Sequence, residues 1–201
     1  MRPIEATAKE AFFQKIRTYT DLSKDAERAW SAILRPERYR KGESLIQAGT
    51  VPATFAYVVK GLFSQHYVGP EGNTVIKYFF PEERIAASVS ATLLGQPSLF
   101  TITAIEDSSV LVYEFASFNS LVVEFSDIAA FYIRYMERHW IIEKEPGEIA
   151  FRHDDAMKRY RDFVNREPLL YKRLNQHHIA AWLGITPESL SRIRKAITLG
   201  G

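Results

Sequence analysis

The sequence of 201 residues contains no cysteine. Disulfides, thiolate zinc sites, cysteine nucleophiles and cysteine-ligated iron–sulfur clusters are thereby excluded. Long apolar runs are also missing. The longest, Ile128–Ile133, spans six residues, whereas a membrane-spanning helix needs roughly 20. Met1 to Ile16 carries Arg2, Lys9 and Lys15 but no apolar stretch of signal-peptide length. These absences predict a soluble, cytoplasmic protein with no membrane partner. Histidine is scarce, five in all, and only His66 falls between residues 36 and 115. A metal-dependent enzyme built on short strands needs two or more histidines and a carboxylate converging on one ion. His177 and His178 are adjacent on a helical stretch, so their rings cannot face one point. No Gly-rich phosphate loop, nucleophile elbow or His-Glu-x-x-His is present. The expectation is no metal site, no catalytic residues and no enzyme.

What is present divides unevenly along the chain. Hydrophobic residues make up 46% and aromatic ones 13%, enough for a ring-rich core or ligand pocket. The net charge of +2 conceals an asymmetry. Residues 151–201 hold ten Lys/Arg against five Asp/Glu, a balance of +5, while the preceding 150 balance to −3. A basic tail behind an acidic body suits nucleic-acid binding, although a solvated charged face would look the same.

The chain also changes texture. Residues 4–35 read as helical, with Phe12, Phe13, Ile16, Leu22, Ala26, Trp30 and Ile33 at helix-like spacing. From Arg35-Pro36 to about Glu114, short β-type runs alternate with glycine turns. The runs are 44–47, 55–59, 62–68, 74–80, 100–105 and 110–115, the pattern of a sandwich, barrel or jelly roll. Residues 117–145 turn helical again, with Phe125, Ile128, Tyr132, Tyr135, Met136, His139 and Ile142 along one seam. Such a seam packs either on its own β domain or against a second copy. The dimer is favoured, because a small roll cannot cover so long a helix. Pro146-Gly147 is expected to break the helix, and Asp155 to cap a new one. The expected units are a sensing domain (1–116), a dimerisation helix (117–145), a linker (146–152) and a basic C-terminal domain (153–201).

The most specific signal is 176–195, QHHIAAWLGITPESLSRIRK. Two short helices crossing steeply through a tight turn need apolar residues at the fourth, eighth, tenth, fifteenth and eighteenth places. They also need a small fifth residue and a glycine ninth. Ile179, Leu183, Ile185, Leu190, Ile193, Ala180 and Gly184 fill all seven. The competing reading is an ordinary helical hairpin with a glycine cap. Thr186 is a candidate N-cap, with Pro187 at the first position and Glu188 near the positive end of the dipole. In a helix-turn-helix the second helix enters the major groove. Its outward residues are then Thr186, Pro187, Glu188, Ser189, Ser191, Arg192 and Lys195. Arg192 suits the O6/N7 edge of guanine and Glu188 a cytosine amine. Thr186, Ser189, Lys195, Asn175 and Gln176 suit phosphates, while Arg194 points elsewhere.

With this order assembled, the chain resembles the Crp/Fnr superfamily of transcription regulators. YRKGESLIQAGTVPATFAYVVKGLFSQHYVGPEGN is similar to that family's first β-roll half, and LGITPESLSRIRK to its recognition helix. The resemblance implies an α+β fold of N-terminal helices, a double-stranded β-roll (jelly roll), a long dimerisation helix and a C-terminal helix-turn-helix domain. It also implies a homodimer, a small-molecule effector, a near-palindromic double-stranded DNA site and, as a further partner, RNA polymerase. Members that bind cyclic nucleotides hold the ribose with a Gly-Glu pair and the phosphate with a later Arg-Ser. Here PEERIAAS offers Ala86-Ala87, and GQPSLFTITA offers Ser98-Leu99. Neither cyclic AMP nor an iron–sulfur cluster is therefore the expected cofactor, and the effector stays unidentified. Arg84, Ile85, Ser98, Leu99 and Phe100 are the candidate pocket residues. The sequence ends at Thr198-Leu-Gly-Gly201, so no full β-wing is expected after the recognition helix. The alternative function is an effector-binding regulatory dimer that signals through protein contacts.

Overall fold

The structure, a computed structural model, describes residues 3–199. It opens on two helices, α1 (Pro3–Arg17) and α2 (Lys24–Ile33). Ser23 begins α2, its hydroxyl accepting the Ala26 amide at 3.2 Å, and thereby satisfies one of the orphan donors of the first turn. Helical spacing brings Phe12, Phe13 and Ile16 of α1 onto Ala26 and Trp30 of α2, and all five are buried. Trp30 meets Phe12 edge-on at 5.1 Å and also lies 5.1 Å from Phe118 and from Phe131. The aromatic share of the sequence is thus spent largely on fastening helices to the roll.

Eight strands follow: β1 (Arg35–Tyr39), β2 (Ser44–Ile46), β3 (Thr54–Lys60), β4 (Phe63–Val68), β5 (Thr74–Phe80), β6 (Ile85–Ala86), β7 (Thr101–Ala104) and β8 (Ser108–Glu114). A short α3 (Val89–Leu94) lies between β6 and β7. The strands form two antiparallel four-stranded sheets, ordered β1-β8-β3-β6 and β2-β7-β4-β5. Ile46, Val58, Phe63, Phe80, Ile102 and Val112 pack between them. The chain crosses from β3 in one sheet to β4 in the other at Gly61, whose φ of +108° suits glycine, and a Cβ there would sit 2.1 Å from the Ser108 hydroxyl.

The chain then continues as α4 (Phe115–Glu124), α5 (Ser126–Met136), a π-helical segment (Glu137–Ile142), α6 (Glu145–His153), α7 (Ala156–Arg166), α8 (Pro168–Arg173), α9 (Gln176–Leu183) and α10 (Pro187–Leu199). This corrects the expected single helix over 117–145. It is interrupted at Phe125, which is extended at φ −117°, ψ 113°, and underwound into a wider π-helical turn over Glu137–Ile142. The expected linker at 146–152 is itself helical, because Pro146 lies in the first turn of α6, where its missing N–H costs nothing. The apolar seam is also redistributed. Ile128, Tyr135 and His139 are buried against their own roll, and Phe125, Tyr132 and Met136 pack at its margin. Ile133, Ile141, Ile142, Ile149 and Phe151 stay exposed.

The C-terminal helices are docked on the roll. Leu62, Ile76, Phe79 and Ile105 share one apolar cluster with Phe163, Leu174, Ile179 and Leu183. At its edge Arg173 donates to Glu82 at 2.7 and 3.0 Å and to Glu106 at 2.6 Å. Two carboxylates around one guanidinium push the Arg173 pKa up. Among the described residues no helix is long and apolar enough to cross a membrane. Gly200 and Gly201, where a β-wing was not expected, lie outside the described residues.

Candidate nucleic-acid interface and effector cleft

Asn175 opens α9, its side-chain oxygen accepting the His178 amide at 2.9 Å. The helix closes at Gly184, left-handed at φ 68°, ψ 33°. A Cβ on Gly184 would make only an ordinary contact with the Phe151 ring at 3.4 Å, so it is the left-handed backbone that favours glycine. The Ser189 amide donates to the Thr186 hydroxyl at 3.2 Å, which caps α10. Ile179, Ala180, Leu183 and Leu190 are buried between the two helices, with Ile185 and Ile193 packed beside them.

That packing fixes the outward face. Thr186, Glu188, Ser191, Arg192 and Lys195 are exposed, as are Asn175 and Gln176, while Pro187 and Ser189 are half-buried. Arg192 donates to the Ser189 hydroxyl at 2.9 Å, so its guanidinium lies along the first turns of α10 instead of trailing in solvent. Hydrogen bonds from its own backbone amide and the Thr186 hydroxyl lower the Glu188 pKa and keep it anionic. Arg194 is turned inward over the rings of Tyr160 and Tyr171, at 5.8 and 5.9 Å.

The expected effector residues do not stay together. Ser98 is buried, hydrogen-bonded to Ser88 at 2.8 Å and to the backbone of Phe100, so it shapes a turn. Leu99 is 70% exposed and lines nothing. Arg84 and Ile85 do reach a small cleft, with about 50 Å3 of accessible space, between the β4–β5 face of the roll and the helix from α5 through the π-helical segment to Lys144. Phe100 borders it through Lys77, whose Nζ is 4.4 Å from the ring centroid.

Local irregularities build this cleft. The β4–β5 register slips by a bulge between Gln65 and His66, a device that re-aims side chains. Glu83 is left-handed at φ 66°, a conformation that costs a non-glycine residue roughly 1 kcal/mol or more. It is held there by its amide bonding to Val58 and by Lys15 on its carboxylate at 2.7 Å. The turn delivers Arg84 to Glu143 at 2.7 Å and to Nδ1 of His139. The same Nδ1 lies 2.9 Å from the Glu143 carboxylate, and Nε2 on the other side of the ring lies 2.6 Å from the Tyr19 hydroxyl. Burial, together with the Arg84 charge, lowers the His139 pKa and keeps the ring neutral.

Sequence reasoning missed Gln65, Lys77, Tyr78, Trp140 and Lys144, all on this cleft. The Lys77-Tyr78 step along β5 was the one readable signal: polar and aromatic residues in a strand next to Arg84's turn.

Residues 36–125 match the family model described as the cyclic nucleotide-binding domain. Among curated proteins none matches the sequence. The fold is similar to that of FixK2 from Bradyrhizobium japonicum, with TM-score 0.71, 19% identity, and 84% of this chain and 86% of that one covered. It is also similar to CLP, the c-di-GMP responsive global regulator of Xanthomonas campestris, with TM-score 0.70, 13% identity, and coverages of 89% and 93%. A putative transcriptional regulator of the Crp/Fnr family from Eubacterium rectale superposes with TM-score 0.65 at 16% identity, covering 90% of this chain and 86% of its own.

Proposed function

We propose that this chain, which carries a cyclic nucleotide-binding domain and the fold of Crp/Fnr regulators, is a DNA-binding transcription regulator and not an enzyme. The carrying observation is the α9–α10 pair. Its inner face is fully apolar around the Gly184 turn, while Glu188, Ser191, Arg192 and Lys195 point outward from the start and middle of α10. Residues 153–199 are then the reading unit, and residues up to 116 the sensing unit. Two copies joined along the helical region, through residues such as Ile133 and Ile141, would read a near-palindromic duplex. A small molecule in the cleft beside Arg84 would bias the docking of the reading unit, since both the Arg84 turn and Glu82 of the Arg173 contact belong to the β5–β6 loop.

The test is selection from a pool of random duplexes by the full chain at low salt. Enrichment of one two-fold symmetric site supports the reading. No duplex retained, with or without small-molecule extracts, overturns it and leaves the protein-contact alternative.

A further inference from the structure

From the cleft geometry we infer that the effector is a small planar aromatic acid that also carries a hydrogen-bond donor, held between Tyr78 and Trp140 with its carboxylate toward Lys77 and its donor on Gln65. This deepens the effector part of the reading above and rests on it. Three independent features define the shape and polarity of the occupant.

The first is a pair of rings. Tyr78 on β5 and Trp140 in the π-helical segment face one another nearly parallel, at 16°, with centroids 6.4 Å apart. That is the outer end of direct ring contact. It is also within about an ångström of the two successive contact distances, roughly 3.5 Å each, that a flat ring between them would need. A modest opening of the pair therefore admits one aromatic layer, and a puckered or branched molecule gains much less from it.

The second is an orphan acceptor. Gln65 is 2% exposed, lies opposite the β5 bulge at Lys77 and lines the cleft. Its Oε1 is buried and has no hydrogen-bond partner. Buried polar atoms are nearly always paired, so this oxygen is matched to a donor that arrives with the ligand.

The third is cationic charge. Lys77 makes no ion pair among the described residues and rests on the Phe100 ring. Lost solvation and the neighbouring Lys144 lower its pKa, with Glu148 opposing them in part. Lys144 itself lies 6.0 Å from the Trp140 ring and is shared with Glu148 at 3.6 Å. Arg84, by contrast, is already committed to Glu143. An anion beside Lys77 relieves the repulsion between the lysines, which a neutral ligand leaves in place.

Calorimetric titration of the full chain, without DNA, tests this. The probes are 4-hydroxybenzoate and indole-3-carboxylate, which combine plane, carboxylate and donor. Controls are benzoate (no donor), 4-methylphenol (no acid), cyclohexanecarboxylate (no plane) and cyclic AMP. At least one of the two probes is expected to bind with a Kd on the order of 0.1 mM, and each control roughly tenfold more weakly or worse. Gln65→Met should erase the advantage of 4-hydroxybenzoate over benzoate, and Lys77→Gln its advantage over 4-methylphenol. Far-ultraviolet circular dichroism and a retained melting transition confirm that both variants fold. Failure of both probes, or probe binding indifferent to both substitutions, overturns the inference. So does cyclic AMP binding more tightly than either probe. Because no DNA is present, a failed duplex selection with intact probe binding removes the regulator reading alone, and the reverse result removes only this ligand.

Discussion

At the scale of single residues the proposed interface is tested at Arg192 and Lys195, both exposed on α10. Arg192 is steadied by Ser189 at 2.9 Å, so its fork is partly pre-organised toward a base edge. Arg192→Ala should cost about 1–3 kcal/mol on the preferred site and relax the choice of guanine, leaving nonspecific binding largely intact. Lys195→Ala should weaken all sequences more evenly and reduce the salt slope by about one, as expected for a lost phosphate contact. Fluorescence anisotropy against specific and random duplexes over a salt series separates the two. Equal losses on both duplexes for Arg192→Ala would make it a phosphate contact. These residues were legible in the sequence because the seven apolar and small positions of 176–195 dictate which side chains face out. The cleft was not. Its partners come from β4, β5 and the π-helical segment, which are far apart in sequence, and a bulge and a left-handed Glu83 bring them together. Periodicity encodes neither. Ser98 and Leu99, placed in the pocket by the resemblance, instead shape a turn and face solvent.

At the scale of elements, most strands announced themselves by alternation and glycine turns. β1 did not, because Arg-Pro-Glu-Arg-Tyr is a charged edge with four exposed side chains, and β6 has only two residues. The break at Phe125 was equally silent: no proline or glycine marks it. Packing decides it, since Asp127 turns back to accept the Ser23 amide at 2.7 Å and ties the start of α5 to α2. The π-helical segment carries a second consequence through its buried histidine. His139, His66 and His178 all have lowered pKa values, burial being the first cause in each. The folded state holds them neutral, whereas unfolded histidines take up protons near pH 6.5. The unfolded chain then binds more protons, so stability is expected to fall as pH drops below about 6.5. The lowered carboxylates, Glu143 beside His139 and Arg84 and Glu82 beside Arg173, lose their stabilisation only as pH falls through and below the usual carboxylate range. Urea unfolding at several pH values between 7.5 and 5.5 should show this fall. His139→Gln should flatten it while lowering stability throughout. A flat wild-type profile would mean that the rings take up protons equally in the folded and unfolded chains.

At the scale of the whole molecule, the C-terminal helices are docked on the roll. An apolar cluster around Phe79 and Ile179 attaches them, and Arg173 closes its edge on Glu82 and Glu106. Removing Arg173 also leaves two carboxylates facing a gap with no counter-charge. Arg173→Ala is therefore expected to loosen the docking by on the order of 1 kcal/mol, an ion-pair network at a half-exposed site being worth no more than that. Amide exchange should quicken across α9 and stay unchanged in β8, which lies in the other sheet. Unchanged exchange in α9 would assign the docking wholly to the apolar cluster.

Assembly is the last property the molecule implies, and the structure moves its test to different residues. Tyr132 and Met136, part of the seam that the sequence offers to a second copy, are partly spent on the chain's own core. Ile133, Ile141 and Ile142 remain exposed along the same helical stretch, where apolar side chains gain most from being covered by a partner. A single reading unit spans only half a site, and a two-fold pair places its recognition helices about one turn of DNA apart. Ile133→Glu combined with Ile141→Glu should leave the fold intact, because both side chains are solvent-facing, yet yield monomers by light scattering. Those monomers should retain weak, salt-dependent binding to one half-site and lose all preference for half-site spacing. Dimer mass persisting in the double variant would place the interface on another face. Monomers that still demanded fixed spacing would show that the duplex, and not the protein pair, sets the distance between the two α10 helices.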